Sequence, residues 1–329
     1  MRVVLFWDRV PDLGQRCALC FAAPDEDEFW RLQTRWGRAR LGPRQRVNPF
    51  FGWSQAEASR DNPLGLRAES LAAARAPGRR LLFAGDSFVT GSSGEGCTIP
   101  ECLDRLSPGR TTVDLGVGGY GLDQIVLMSE AARARIPADG VVIGIYLGDV
   151  DRVVLTRRTY QKPYFAEEGG RIAVRGLPIE PDVARFRAAS SPQTRFWVAA
   201  LLRRLAARPR SSEQSEGTSS AAKERLTRFL LARLVEGARR DRIPPLFVIF
   251  YDEPSLHSTD WEEPLLKSAL AELGQEPLDT KTLLLAQGEP SARYYAADGH
   301  HNAAGNELIA EAIREREARR IRVTSVRRP

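Results

Sequence analysis

Short unbroken apolar runs alternate with amphipathic stretches through the middle of this chain. Arg80 to Ala84 (RLLFA) is such a run, bounded by glycine, as expected of a strand buried on both faces. A helix is expected from about Pro100 to Leu106, and a second strand over Thr111 to Val117 (TTVDLGV). A helix from about Leu122 to Arg135 then stops before Pro137. Val141 to Leu147 (VVIGIYL) and Leu246 to Tyr251 (LFVIFY) read as third and fourth strands, and Thr282 to Leu285 (TLLL) as a weaker fifth. A helix over Asn302 to Arg320 closes the pattern. Strands alternating with helices predict an α/β fold, a parallel sheet of about five strands with helices on both faces and right-handed crossovers. Ligands in such sheets bind beyond the carboxyl ends of the strands.

Two regions fall outside the alternation. Residues 1–79 read as an N-terminal extension packing on the core, with a helical stretch over Asp25 to Arg40. From Val47 to Arg79 the extension is turn-rich, marked by Asn48-Pro49, Gly52, Asn62-Pro63 and Gly65, and is expected to wrap a surface without regular elements. The main domain covers 80–320 and carries a helical insertion, or cap, at 151–240. That insertion has amphipathic helices over Arg195 to Ala207 and Ala221 to Arg240, with a mobile linker at 211–220 (SSEQSEGTSS) between them. The first helix sets Phe196, Trp197 and Leu201 against Arg203 and Arg204. That face suits packing on the sheet or capping the site better than lying on a membrane.

Composition refines this picture only slightly. With 329 residues, 43% apolar and 27% charged, the chain can bury one sizeable core. The formal charge of +6 comes from arginines scattered along helices and from the C-terminal end, including a basic tail at 321–329. No aromatic-basic platform accompanies it, so no nucleic-acid partner is expected. The opening MRVVLFW is too short for a signal-peptide core and no eighteen apolar residues run together, so a cytoplasmic location is expected and membrane association is not. The sequence says nothing of oligomeric state. Cys17, Cys20, Cys97 and Cys102 form a C-x-x-C and a C-x4-C pair, a spacing that zinc sites use. Without knuckle glycines or aromatic context, they read better as thiols in a reducing compartment.

Candidate chemistry sits at two distant places. Gly85-Asp86-Ser87 follows the first strand and precedes a helix, so the Ser87 hydroxyl can project at the upper sheet edge. By itself the tripeptide is equally a turn with a helix cap. Asp298-Gly299-His300 precedes the last helix, and Asp298 lies two positions from His300, on the same side of an extended segment. A serine becomes nucleophilic when an imidazole takes its proton, and the imidazole works best when a carboxylate fixes its tautomer. The two blocks together supply nucleophile, base and orienter. A competing motif, Gly116-Val117-Gly118-Gly119-Tyr120-Gly121, contains the G-x-G-x-x-G of dinucleotide binding, with Asp149 and Asp151 as would-be ribose ligands. It lies on the second strand instead of the first, and leaves Ser87, Asp298 and His300 unexplained.

Over roughly Val47 to Arg314 the chain resembles the SGNH hydrolases, also called GDSL esterases and lipases. Leu82 to Gly91 (LFAGDSFVTG) looks like the nucleophile block, and Asp298-Gly299-His300 with Gly305 like the final block. Leu115 to Gln124 is similar to the second block, whose glycine donates an oxyanion-hole N–H; by alignment that glycine is Gly119. Gly52-Trp53 and Asn62 to Arg67 (NPLGLR) resemble segments preceding the nucleophile in one bacterial branch. The resemblance implies a flavodoxin-like three-layer α/β/α sandwich and acyl chemistry without metal or other cofactor. One block departs: where the family carries an Asn-Asp pair with the Asn as a further oxyanion donor, this chain reads Gly148-Asp149. Losing one such donor typically costs about 10²- to 10³-fold in rate.

The expected function is hydrolysis of carboxylic esters, with a short acyl group on a small molecule or carbohydrate, through an acyl-serine. Ser87 attacks, His300 serves as base and then acid, Asp298 orients it, and the Ser87 and Gly119 amides hold the oxyanion. An O-acyltransferase using the same acyl-enzyme, and a weak or inactive binding protein lacking the donor at Gly148, are the alternatives. The insertion at 151–240 supplies most of the cap and carries no recognisable substrate code.

Overall fold

The computed structural model describes residues 40–91, 96–190, 213–288 and 291–326. Its strands are β1 (Arg46–Asn48), β2 (Gly52–Ser54), β3 (Arg79–Ala84), β4 (Arg110–Asp114), β5 (Gly140–Tyr146), β6 (Tyr164–Glu168), β7 (Arg171–Arg175), β8 (Pro245–Phe250) and β9 (Leu278–Asp279). Five of them form one parallel sheet in the order β4-β3-β5-β8-β9. Counted along the chain, that is the doubly wound order 2-1-3-4-5. The order reverses between β3 and β5, and a crevice forms there above the strand ends.

The central strands are the unbroken apolar runs. Leu82 of β3 stands opposite Val113 on one side and Val141 on the other, and Ile143 of β5 opposite Phe247 of β8. All of these are buried, as a strand covered by helices on both faces requires. One layer buries Leu122, Ile125 and Val126 of helix Leu122–Arg133 together with Leu230, Leu231 and Leu234 of helix Glu213–Arg240. The other buries Ile99 and Leu103 of helix Ile99–Leu106 and Ile309 and Ile313 of helix Ala303–Val326. The result is the three-layer α/β/α sandwich that the resemblance implies.

Several local expectations are corrected. Thr282–Leu285 is not a strand but lies in helix Thr280–Leu285, because the Asp279 side chain accepts the Lys281 and Thr282 N–H groups and caps a helix there. The fifth strand is the two-residue β9 just before it. The expected linker at 211–220 is helical from Glu213 onward. The insertion is not purely helical, since β6 and β7 form an antiparallel hairpin within it. The Val47 to Arg79 stretch holds the β1–β2 hairpin and helix Ala68–Arg75. The helices expected over Asp25 to Arg40 and Arg195 to Ala207 lie outside the described residues, apart from Arg40 itself.

A disulfide joins Cys97 to Cys102, against the expectation of free thiols, and it removes both from any four-thiolate set; Cys17 and Cys20 lie outside the described residues. No helix among the described residues is long and apolar enough to cross a membrane. An ion pair between Lys162 and Asp123, both fully buried, ties the insertion to the core. Lys162 Nζ also donates to the carbonyls of Arg152 (2.8 Å) and Leu155 (3.2 Å), so each of its three N–H donors has an acceptor, although burial still lowers its pKa.

Candidate active site

Ser87 and His300, 213 positions apart, meet at the crevice, where His300 Nε2 lies 2.8 Å from Ser87 Oγ. Ser87 opens the helical turn Ser87–Thr90 just beyond β3, and Asp86 Oδ1 caps that turn by accepting the Phe88 N–H at 2.9 Å. Asp86 Oδ2 is a second acceptor within reach of the Ser87 hydroxyl, at 3.4 Å, and the imidazole is the nearer one. An accepting Nε2 places the proton of a neutral ring on Nδ1.

Asp298 and His300 come together in a tight turn, not in the extended segment expected. The Gly299 N–H donates to the Ala296 carbonyl, and the Ala296 N–H to that of His300. Asp298 Oδ1 accepts the His300 backbone N–H at 3.1 Å and lies 3.3 Å from Nδ1 of the same residue. The Nδ1 contact is electrostatic and off the line of a good hydrogen bond. Such contacts are commonly loose without substrate. Phe88 supports the imidazole from one side, with ring centroids 4.8 Å apart.

The Gly118–Gly119 turn is held from behind by the N-terminal segment. Gln45 Nε2 and Trp53 Nε1 both donate to the Gly118 carbonyl, at 2.9 and 3.0 Å. In a planar trans peptide the N–H points opposite to the C=O, so the Gly119 N–H is turned away from both donors. Gly119 has φ +86°, a conformation that glycine adopts without strain. Neither the Gly119 nor the Ser87 N–H meets a backbone acceptor among the described residues, which leaves both available to an incoming oxyanion. A Cβ on Gly118 would lie 3.8 Å from Ser87 Cβ, so the turn stands directly beside the nucleophile.

Sequence reasoning missed Arg152, a buried guanidinium beneath the site. Its Nη1 donates to the Tyr120 carbonyl (2.7 Å), Asp149 Oδ1 (2.6 Å) and Asp86 Oδ2 (3.3 Å). One side chain thus ties together Asp86 beside Ser87, Tyr120 after the Gly118–Gly119 turn, and Asp149 after Gly148. Asp149 is therefore no ribose ligand, and Asp151 pairs with Lys223 at 2.7 Å. Burial, and next the charge of Asp86, push the Asp149 carboxyl up, while Arg152 opposes the shift.

Gly148 stands where the resemblance leads us to expect an asparagine, and the space beside it is taken. A Cβ there would come within 2.6 Å of the Tyr146 ring. That ring stacks on Phe88 at 4.8 Å, and its hydroxyl donates to Asp252 Oδ2 at 2.9 Å, so it cannot swing aside cheaply. Gly148→Asn is therefore expected to lower stability by about 1–3 kcal/mol through overpacking, with no gain in rate. Urea denaturation and steady-state kinetics on the single variant check both parts.

His301 faces the other way, into the aromatic layer. Its ring lies 5.1 Å from that of Phe88, 5.8 Å from Phe250 and 5.0 Å from Tyr295. Burial, and secondarily His300, push its pKa down to about 3. The unfolded chain takes up this proton near pH 6.5 and the folded one resists it, so the unfolded state holds the extra proton between those values. Stability should fall by about 1.4 kcal/mol for each pH unit of acidification below 6.5. Urea midpoints at pH 7 and 4.5 should differ less in His301→Phe than in the wild-type protein.

No family model and no curated protein matches the chain. Solved structures similar to it include a lipase/acylhydrolase from Enterococcus faecalis, at 13% identity and TM-score 0.42, covering 73% of this chain and 96% of that one. A member of the lipolytic protein G-D-S-L family from Veillonella parvula is similar at 14% identity and TM-score 0.39, covering 72% of this chain and 97% of that one. A catalytic mutant of an acetylxylan esterase from Geobacillus stearothermophilus is similar at 16% identity and TM-score 0.40, with 72% and 92% covered. The likeness is one of fold.

Proposed function

We propose that the protein is a serine hydrolase of carboxylic esters acting through an acyl-serine. The observation that carries this reading is the 2.8 Å contact between His300 Nε2 and Ser87 Oγ, with Asp298 on the other ring nitrogen. Ser87 Oγ attacks the ester carbonyl as Nε2 takes its proton, and the resulting imidazolium is stabilised by Asp298. The developing oxyanion faces the Ser87 and Gly119 N–H groups. Nε2 then protonates the departing alcohol, and a water molecule repeats the sequence to release the acid. A short acyl group on a small molecule or carbohydrate is the substrate class this reading expects. With the Tyr146 ring beside Gly148, the hole works with two donors, and turnover should be modest for such an enzyme.

The test is covalent labelling and turnover together. A fluorophosphonate probe should add one adduct, mapped by peptide mass spectrometry to Ser87, and 4-nitrophenyl acetate should be hydrolysed by the wild-type protein but not by the labelled one. Folded protein that neither labels at Ser87 nor turns over the ester would instead be a ligand-binding relative of the fold.

A further inference from the structure

Val117 to Tyr120, the residues that carry the Gly119 N–H, form a β-turn in which the Tyr120 N–H donates to the Val117 carbonyl at 3.2 Å. Gly119, at the third position, has φ +86°, the mark of a type II turn. Types I and II share their ends and differ by a half-rotation of the central peptide, here Gly118–Gly119. A side chain at the third position would disfavour type II, whereas glycine accepts both. Glycine is needed there for packing, since a Cβ on Gly119 would collide with Arg158 Nη1. The turn therefore does not fix the orientation of its own central peptide.

Neighbouring side chains fix it. Gln45 Nε2 and Trp53 Nε1 donate to the Gly118 carbonyl, and each is itself anchored. Gln45 Oε1 accepts the Gly42 N–H at 2.9 Å. Trp53 is fully buried; its ring meets that of Tyr120 edge-on at 5.5 Å, and its carbonyl accepts the Tyr120 hydroxyl at 2.5 Å. The Phe51 carbonyl accepts Gln124 Nε2 at 2.7 Å, so the same segment also holds the helix that follows the turn. A half-rotation of the central peptide would break both bonds to the Gly118 carbonyl. Because that carbonyl and the Gly119 N–H point in opposite directions, it would also put an oxygen where the N–H now points. An oxygen there repels an oxyanion that the N–H would stabilise.

We propose that Gln45 and Trp53 are positioning residues that hold the Gly118–Gly119 peptide in the type II orientation, and that without them it flips between two orientations. The flip itself stands on the geometry of the turn; its effect on rate rests on the hydrolase reading above. Two donors on one carbonyl also polarise the peptide and strengthen its N–H as a donor. A segment that precedes β3 in the chain thus sets the readiness of a site built from residues after it.

The peptide can be watched directly. Gly118-Gly119 and Gly169-Gly170 are the two Gly-Gly pairs of the chain. Protein carrying carbon-13 at glycine carbonyls and nitrogen-15 at glycine amides therefore gives two carbonyl–amide cross-peaks, and Gly169→Asn, at an exposed turn with open space around it, leaves the Gly118–Gly119 peak alone. Gln45→Met and Trp53→Phe remove the donors and keep most of the volume. In the double variant that peak should split or show exchange broadening, and kcat on 4-nitrophenyl acetate should fall about 10- to 50-fold, what two neutral hydrogen bonds hold, with KM little changed. Phenylboronate, which adds to a serine hydroxyl as a tetrahedral anion, should lose affinity by the same factor. A merely structural role would lower the urea midpoint without that match. A single sharp peak with phenylboronate affinity unchanged, or a folded double variant with full kcat, overturns the proposal. If Trp53→Phe does not fold, Gln45→Met, at a half-buried position, decides alone, with a loss in kcat of about 5-fold expected. A wild-type protein that turns over no ester sinks the hydrolase reading and leaves the decision on the flip to the cross-peak, where a second position or exchange supports it and a single sharp peak rejects it.

Discussion

Removing the His300 imidazole is expected to lower kcat by about 10⁶-fold, leaving only what binding and the oxyanion hole supply. The size follows from the geometry: Nε2 at 2.8 Å is the nearest base to the Ser87 hydroxyl among the described residues, while Asp86 Oδ2 stands at 3.4 Å and is also engaged by Arg152. The loss should be in kcat with KM little changed, since the imidazole acts on the proton and not on the bound ester. Asp298→Asn should cost less than the roughly 10⁴-fold seen where an orienting aspartate is buried. Its side chain is 35% exposed and meets Nδ1 off-axis at 3.3 Å, so it holds the ring less tightly than a buried partner in a good hydrogen bond would. Steady-state kinetics of His300→Ala and Asp298→Asn on 4-nitrophenyl acetate, with added imidazole restoring part of the His300→Ala rate, check the ordering. Equal losses in the two variants would mean that Asp298 does more than orient.

The parts of this architecture that could be read from the chain are those whose cause is local. β3, β5 and β8 are unbroken apolar runs, and a strand covered on both faces has no other way to be written. Ser87, Asp298 and His300 each lie in a short motif that carries its own chemistry. Thr282 to Leu285 misled because three leucines suit a strand as well as a helix. The cap was nonetheless present as Asp279, three positions earlier. Gly169-Gly170, the two-residue turn between β6 and β7, is a local hairpin signal of the same kind, set inside a stretch whose flanks read as helix. The serine-rich stretch from Glu213 continues a helix nucleated by the amphipathic residues after it, and extension is cheap once a helix has started. What surrounds the site had no local signal. That the Tyr146 ring fills the place of a side chain at Gly148, or that Gln45 and Trp53 hold the Gly118 carbonyl, depends on how distant segments pack.

Arg152 is the clearest case of such a hidden determinant, and its loss should be the largest single blow to the fold. The side chain is 5% exposed, and those of Asp86 and Asp149 are 1% and 0% exposed. Replacing Arg152 by methionine keeps much of the volume but strands two carboxylates in a medium that penalises unpaired charge, at a cost of about 3–5 kcal/mol. Burial and Asp86 already push the Asp149 carboxyl up, and Arg152 opposes them, so without the guanidinium Asp149 should bind a proton more readily still. An acid whose folded pKa is raised loses stability as pH rises through that value, so the deficit of Arg152→Met should be larger at pH 8 than at pH 5. Adding Asp149→Asn, which removes one of the stranded charges, should recover part of the loss and flatten its pH dependence. Urea denaturation of the wild type, the single and the double variant at both pH values measures this. A deficit independent of pH would show that Arg152 stabilises through its contact with the Tyr120 carbonyl and through packing, not by neutralising Asp86 and Asp149. If charge is the cause, the folded fraction of Arg152→Met at low pH should still react poorly with the fluorophosphonate, because the tie between the Ser87 turn and the Gly119 turn is gone.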